Sequence, residues 1–194
     1  MNIPRSIKGY QALLVATAVQ KVMEVFYFYP EKEFSLSDLA KEAGVQKSNL
    51  GGIIASLAKE ELVSVEKLSK IWRIKANRAS WRFAKSKIVY NLNFIYQSGL
   101  VEYLNTVYNH PKSIVLFGSF RKGEDLSNSD IDIAIENDSF KEYKSHGLRG
   151  LSEFEKAIGR NIQIHEFNRN LIELDLFNNI SNGILLMGFL EVKK

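Results

Sequence analysis

The segment that most constrains the fold of this chain is residues 117–133, which read FGSFRKGEDLSNSDIDI. In it, ten residues separate the pair Gly118 and Ser119 from the pair Asp130 and Asp132. On a β-strand, two side chains that are two residues apart leave the same face of the sheet. Neighbouring carboxylates repel each other unless a cation lies between them, and Mg²⁺ prefers carboxylate and phosphate oxygens. The segment therefore predicts a strand that carries a divalent-metal site.

The residues around the Gly-Ser pair predict a phosphate site beside the acidic strand. Residues 113–117, SIVLF, have the length and composition of a short buried strand. Gly118 permits a tight turn, and Ser119 begins a helical turn whose free N–H groups suit a phosphate. The polar residues 127–129 are typical of a return loop. We therefore expect the order strand, turn, short helix, loop, acidic strand.

The complete spacing, Gly118-Ser119-x10-Asp130-x-Asp132, resembles the DNA polymerase β-like nucleotidyltransferase superfamily. Within it the chain is similar to the minimal nucleotidyltransferases, over residues 95–190. The resemblance implies that Asp130 and Asp132 are catalytic and bind Mg²⁺ or Mn²⁺. It also implies a nucleoside triphosphate as substrate, with ATP as the expected nucleotide. The phosphate-binding residues that it implies are Gly118, Ser119, Lys122 and Ser129.

The sequence departs from this family at the third metal position, where active members usually supply a carboxylate from a later strand. The candidate strand is residues 161–167, NIQIHEF, and it carries the neutral Gln163 between two isoleucines. Alternation places Gln163 and His165 on one face and Glu166 on the other. Glu166 is therefore either a displaced third metal ligand or points away. His165 is either a general base or a polar residue at the end of the strand.

The resemblance leaves three functions open. The first is transfer of a nucleoside monophosphate from the triphosphate to a hydroxyl of a protein, an RNA or a small molecule, with release of pyrophosphate. The second is a DNA-binding transcriptional regulator or antitoxin-like protein that senses nucleotide with weak or no transferase activity. The third is a protein-binding scaffold. Gln163 argues against a fully equipped enzyme, and the intact acidic motif argues against a pure scaffold.

The charge of the chain is unevenly distributed. The net charge is +4, but residues 1–90 contain fifteen Lys or Arg against eight Asp or Glu, whereas residues 91–194 contain eleven against fourteen. The basic residues are concentrated between Lys67 and Lys87, a stretch without an acid. Such asymmetry predicts an anionic partner for the first half. A solvated basic face is the alternative interpretation.

The first half is similar to winged-helix DNA-binding domains of the MarR-like group, over residues 8–76. Residues 8–29 have helical apolar spacing, and residues 35–38, SLSD, resemble a capping box that opens a helix ending at Gly44. A second helix is expected over 47–60. Two β-like runs, residues 62–66 and 71–75, follow around a polar tip, residues 67–70, and make the wing.

In winged helices the second helix of the motif enters the major groove and the wing contacts the DNA backbone. The resemblance implies base or phosphate contacts for residues of the second helix and phosphate contacts for residues of the wing. The residues implied for the helix are Gln46, Lys47, Ser48 and Asn49, and those for the wing are Lys67, Lys70 and Arg73. A winged helix used for protein contacts, or for a homodimer, is the alternative.

The fold class expected from these patterns is α+β. A winged helix over 1–77 precedes a connecting helix over 78–100 and a small nucleotidyltransferase-fold domain over 101–194, with a mixed sheet flanked by helices. Residues 183–190, GILLMGFL, predict a final buried strand. There is no cysteine, which excludes disulfides and thiolate zinc sites. The apolar residues 10–29 are interrupted by polar side chains, so we expect no membrane span and a cytoplasmic protein.

Overall fold

The structure, a computed structural model, describes residues 17–68 and 71–192, with the side chain of residue 71 left aside. These residues form two compact units that divide between Tyr90 and Asn91. Lys70 and the first part of the helix expected over 8–29 lie outside the described residues. In the part of the chain that the structure describes, no helix is both long and apolar enough to cross a membrane.

The first unit has the element order of a winged helix. Its elements are α1 (Ala18–Phe28), β1 (Glu33–Phe34), α2 (Leu36–Ala43), α3 (Lys47–Lys59), β2 (Val63–Leu68) and β3 (Ile71–Ala76). The strands form an antiparallel sheet in the order β1-β3-β2. Two helices joined by a short turn, followed by a β-hairpin, confirm the predicted fold of this half.

Local signals fix the two helices of the motif. The Ser35 hydroxyl accepts a hydrogen bond from the backbone N–H of Asp38 at 3.2 Å and so caps α2. Gly44 ends α2 in the left-handed conformation, with φ of 62°. Leu50, Ile54 and Leu57 recur at helical spacing in α3 and are buried in the core of the unit.

The hairpin is longer than the sequence suggests. β2 and β3 pair from Val63 opposite Ala76 to Leu68 opposite Ile71. Lys67 therefore belongs to a strand and not to the polar tip, because the ladder continues to Leu68. Val63 and Ile74 are buried in the core and anchor the base of the hairpin.

Two helices follow the hairpin, α4 (Trp81–Gln97) and α5 (Leu100–Val107). Gly99 separates them with φ of 79°, a conformation that side-chain-bearing residues rarely adopt. The boundary between the units falls within α4. The domain limits expected at 77 and 100 stay a prediction.

The second unit is built on a five-stranded mixed sheet. Its remaining elements are β4 (Ser113–Phe117), α6 (Gly118–Lys122), β5 (Ile131–Glu136), β6 (Lys144–Gly147), α7 (Ser152–Ile158), β7 (Ile162–Phe167), α8 (Leu174–Ser181) and β8 (Ile184–Gly188). The strand order is β6-β7-β5-β4-β8, and the pair β5–β7 is parallel while the other pairs are antiparallel. This arrangement confirms the predicted α+β class.

The side chains of the central strand, β5, alternate between the two faces of this sheet. Ile131, Ile133 and Ile135 of β5 are buried in one apolar cluster. Ala134 is buried on the other face, in a second cluster with Phe117 of β4. Because side chains alternate along a strand, residue 132 shares the face of Ala134. The expected final strand, β8, lies at a sheet edge and is only half-buried, because β4 pairs with one side of it alone.

Candidate active site

Gly118 and Asp132 are in direct contact. Phe117, the last residue of β4, pairs with Asp132 of β5, so the turn after β4 passes over the Asp132 side chain. Gly118 has φ of 72°, and a Cβ built on it would overlap Oδ2 of Asp132. The position therefore requires glycine both for its conformation and for its close approach to the carboxylate.

Asp130 lies one residue before β5, so the strand begins later than the alternation suggests. It is exposed, and the Asn161 side chain donates a hydrogen bond to its Oδ1 at 3.2 Å. The backbone N–H of Ile131 donates to the carbonyl of Asn161 at 2.9 Å. Asn161, which precedes β7, is thus hydrogen-bonded to the start of β5 and orients the Asp130 carboxylate.

His165 lies in the middle of β7 and contacts Asp132. Its Nε2 is 3.1 Å from Oδ1 of Asp132, and its Nδ1 is 2.7 Å from the hydroxyl of Tyr143. The ring packs edge-on against Phe117, with centroids 4.8 Å apart. The interpretation of His165 as a polar residue at a strand end is wrong, because β7 continues to Phe167 and the imidazole is buried.

The structure does not bring Glu166 to the two aspartates. Glu166 pairs with Ile135, on the face opposite Asp132, and its carboxylate accepts a hydrogen bond from the Tyr108 hydroxyl at 2.9 Å. Gln163 is level with Asp132 and donates to the Ser145 hydroxyl at 2.7 Å. Among the described residues, no group of three or more acidic, histidine or cysteine side chains is arranged to hold a metal ion.

The two carboxylates nevertheless suit a magnesium ion. Mg²⁺ is commonly bound through one or two carboxylates, with its other positions filled by water and substrate phosphates. Asp130 and Asp132 supply hard oxygen donors of this kind, and Asn161 and His165 orient one oxygen of each. The donor set therefore fits a metal whose coordination a triphosphate completes.

The other predicted phosphate ligands lie along the turn. Ser119 is half-buried in the first turn of α6, and Lys122 is exposed at the end of this helix. The Ser129 hydroxyl accepts a hydrogen bond from the backbone N–H of Leu126 at 2.9 Å. This bond shapes the loop directly before Asp130, so Ser129 has a structural contact that the motif does not indicate.

Buried polar side chains form a network beside the turn at Gly118. No motif in the sequence indicates this network. The Asn91 side chain donates to the Phe120 carbonyl at 2.8 Å and to Oδ1 of Asp125 at 3.0 Å. Nη2 of Arg160 is 3.6 Å from Oδ2 of Asp125. Asn91, Asp125 and Arg160 are buried. The network ties α6 and the return loop to α4.

The four residues predicted to contact DNA from α3, Gln46 to Asn49, are exposed in the first unit. Nζ of Lys47 donates to the Ser37 hydroxyl at 2.7 Å. α3 begins at Lys47, so Gly51 and Gly52 lie within it, and a Cβ at either would meet no atom of the described residues within 4 Å. Gly52 is exposed and Gly51 is half-buried, so no side chain covers the backbone of α3 at these two positions.

The described basic residues of the wing contact acidic and aromatic side chains of the same unit. Nε of Arg73 lies 3.0 Å from Glu33, and Nη1 lies 3.7 Å from Glu66. The Lys67 ammonium lies over the Trp72 ring, 4.1 Å from its centroid. Two of the predicted phosphate contacts thus have partners within the unit.

Comparisons with known proteins find a family model similar to most of the second unit and solved structures similar to about half of the chain. The family model described as "Nucleotidyltransferase domain" matches residues 98–181. No curated protein matches the chain. Among solved structures, the chain is similar to transcriptional regulator PA4135, with 16% identity over 50% of this chain and 78% of that chain and a TM-score of 0.31. BpsR of Bordetella bronchiseptica, whose DNA binding is regulated by 6-hydroxynicotinic acid, has 17% identity over 48% of this chain and 79% of that chain, with a TM-score of 0.28.

Proposed function

We propose that this chain is a metal-dependent nucleotidyltransferase attached to a winged helix that binds duplex DNA. The observation that carries the proposal is the contact of Gly118 with Asp132. This contact places the turn that is proposed to bind the phosphates beside a proposed metal ligand. The family match over residues 98–181 supports nucleotidyl transfer in general. The substrate is a nucleoside triphosphate, with ATP as the expected nucleotide.

In this proposal the phosphates contact Gly118, Ser119 and Lys122 at the start and end of α6. Asp130 and Asp132 hold Mg²⁺ or Mn²⁺, which when bound neutralises charge on the triphosphate. Asn161 and His165 orient the two carboxylates through their hydrogen bonds. The acceptor is a hydroxyl of a protein, an RNA or a small molecule, and pyrophosphate is the leaving group.

Isosteric removal of the two negative charges tests the proposal. Asp130→Asn and Asp132→Asn keep the side-chain shape but should abolish metal-dependent ATP binding and pyrophosphate release. Asp175→Asn, at an exposed position in the first turn of α8, is the matched control and should behave like the wild type. Unchanged metal-dependent ATP binding in both site variants would contradict the proposal.

A nucleotide-sensing regulator is the second candidate, and one observation favours it. The described residues supply no third carboxylate beside Asp132, where His165 lies instead. A sensor would bind ATP with metal, release no pyrophosphate, and change its affinity for DNA when nucleotide is present. Titration of duplex DNA with and without a nonhydrolysable ATP analogue separates this function from the first.

DNA binding by α3 is proposed on the exposure of its first turn and on its charge. α3, KSNLGGIIASLAK, contains no acid, and the exposed Gly52 beside the half-buried Gly51 permits a close approach of the DNA backbone. Because Arg73 is paired with Glu33, we expect α3 to contribute more than Arg73 to the contacts with DNA. A homodimer and a cytoplasmic location stay predictions.

A further inference from the structure

The hydroxyl of Tyr143 is linked to the candidate metal site by a short chain of polar groups. Tyr143 lies directly before the edge strand β6, and its hydroxyl is 2.7 Å from Nδ1 of His165. Nε2 of the same imidazole is 3.1 Å from Oδ1 of Asp132. Two hydrogen bonds and one ring therefore separate a tyrosine hydroxyl from a predicted metal ligand.

The imidazole of His165 joins the two groups through its two ring nitrogens. Nε2 faces Oδ1 of Asp132, and Nδ1 faces the Tyr143 hydroxyl. A carboxylate, an imidazole and a hydroxyl in this order are the arrangement that activates hydroxyl nucleophiles in enzymes.

Tyr143 also has the access that a reacting group needs. Its side chain is 37% exposed, although its hydroxyl is held by His165. The hydroxyl of Tyr108 differs, because it donates to Glu166 on the opposite face of the sheet. Burial and this hydrogen bond raise the pKa of Tyr108 and keep it protonated. The second unit thus contains one tyrosine directed at the site and another directed away from it.

We propose that Tyr143 is a nucleotidyl acceptor, so that the protein modifies itself at this hydroxyl. The inference rests on the proposed transferase function and names one of its acceptors. Oη of Tyr143 attacks the α-phosphorus of the nucleoside triphosphate and forms a new O–P bond. The bond between the α-phosphorus and its bridging oxygen to the β-phosphorus breaks, and its electron pair leaves with pyrophosphate. The phenolic proton leaves to solvent water, His165 holds the hydroxyl in place through its contact, and the product is a tyrosine nucleoside-monophosphate ester.

Mass spectrometry of the full-length protein tests this directly. The protein is incubated with Mg²⁺ or Mn²⁺ and with ATP, GTP, CTP or UTP, and the added nucleoside monophosphate is located by sequencing the peptides. We expect the modification on Tyr143 in the wild type and in the matched variant Tyr108→Phe. It should be lost in Tyr143→Phe, which retains the ring and its packing, and the melting temperature of this variant reports whether it has folded.

His165→Gln tests whether the imidazole positions Tyr143. The glutamine keeps a polar side chain beside Asp132 but lacks the ring nitrogen that contacts the Tyr143 hydroxyl, so modification of Tyr143 should slow about 100-fold through misplacement of this hydroxyl. ATP binding by the same variant reports whether the site has kept its shape, and the melting temperature reports whether it has folded. Modification at the wild-type rate in a folded His165→Gln variant would overturn this positioning role.

The remaining outcomes separate the two proposals. If the wild type binds ATP with metal and releases pyrophosphate but Tyr143 stays unmodified, the self-modification is wrong and the transferase function stands. Modification of another residue in place of Tyr143 has the same meaning. If the wild type does not bind nucleotide with any metal tested, both proposals fail.

Discussion

Nε2 of His165 lies 3.1 Å from Oδ1 of Asp132, across the parallel pair of strands β5 and β7. The other oxygen of Asp132 lies against Gly118, where a Cβ would overlap it. One carboxylate is therefore held between a glycine turn and an imidazole. This relationship makes the geometry around Asp132 sensitive to small substitutions nearby.

Gly118→Ala should damage both the site and the fold. Alanine at φ of 72° is strained, and its Cβ must displace the Asp132 carboxylate. We expect a loss of about 1–3 kcal/mol in the free energy of unfolding, from the backbone strain alone. Metal-dependent ATP binding should fall below detection.

Gly147→Ala is the control for this substitution. A Cβ at Gly147 meets no atom within 4 Å in the described part of the chain, and no positive φ constrains it. Denaturant unfolding and calorimetric ATP titration of both variants check the prediction. Equal effects of the two substitutions would contradict it.

Asn91→Ala should destabilise the second unit, although Asn91 contacts no predicted ligand of the metal. Its side chain is the hydrogen-bond donor to the Phe120 carbonyl and to buried Asp125. Loss of this buried donor should cost about 1–3 kcal/mol in unfolding free energy. The turn that carries Gly118 should also become mobile, which weakens ATP binding.

Asn178→Ala, on the exposed part of α8, is the control and should change neither the unfolding free energy nor ATP binding. Hydrogen exchange of residues 118–125 measures the mobility.

His146 should make the stability of the second unit depend on pH. Hydrogen bonds to the Gly147 carbonyl and to Glu166 raise the pKa of His146, against the effects of burial and of Lys144. Tyr108 also faces this cluster through Glu166. Because the folded-state pKa is the higher one, the stabilisation is fully present below the unfolded value of about 6.5. It is lost as the pH rises through the folded-state pKa.

The measurement is the difference in unfolding free energy between the wild type and His146→Asn at several pH values. The difference should be larger at about pH 5.5 than at about pH 8.5, on either side of the ordinary histidine pKa. Glu166→Gln should reduce this pH dependence, since it removes the negative partner of the imidazolium. A difference that grows with rising pH would show that the sign is wrong.

Binding of duplex DNA should weaken steeply with salt and depend on α3. Each phosphate contact that is removed should reduce the slope of log K against log salt by about 0.9. Lys47→Gln should show this reduction. Arg73→Gln should reduce the slope less, because the Arg73 guanidinium is paired with Glu33 and Glu66.

Lys112→Gln in the second unit is the control, since this lysine is paired with Asp138. Fluorescence anisotropy over a salt series gives the slopes, and a salt-independent affinity would exclude phosphate contacts.

The sequence predicts the helices and strands well where the signals are local. Ser35 caps α2, Gly44 ends it, and the apolar spacing of Leu50, Ile54 and Leu57 defines the buried face of α3. The strand β4 follows from its apolar composition, and the turn after it follows from Gly118. Such signals act within a few residues, so a linear pattern contains them. The burial of β8 was overestimated, because the same apolar run suits a central strand or an edge strand.

The contacts of the site itself depend on register and topology. The bond between Asp132 and His165 spans 33 residues, and that between Asn91 and Asp125 spans 34. The parallel pairing of β5 with β7 decides that His165 meets Asp132 and that Glu166 lies on the other face. No local pattern indicates which tyrosine will reach the imidazole, because Tyr143 lies outside every motif.

The order of the elements, the glycine turn and the acidic strand can be predicted from the sequence, since these follow from backbone preferences and side-chain periodicity over short distances. The surroundings of Asp132 depend on tertiary contacts. Packing of the sheet excludes alternative registers, because a shift of one residue would move the isoleucines of β5 out of their apolar cluster and bring Asp132 into it. The partners of Gly118, His165 and Tyr143 follow from that constraint.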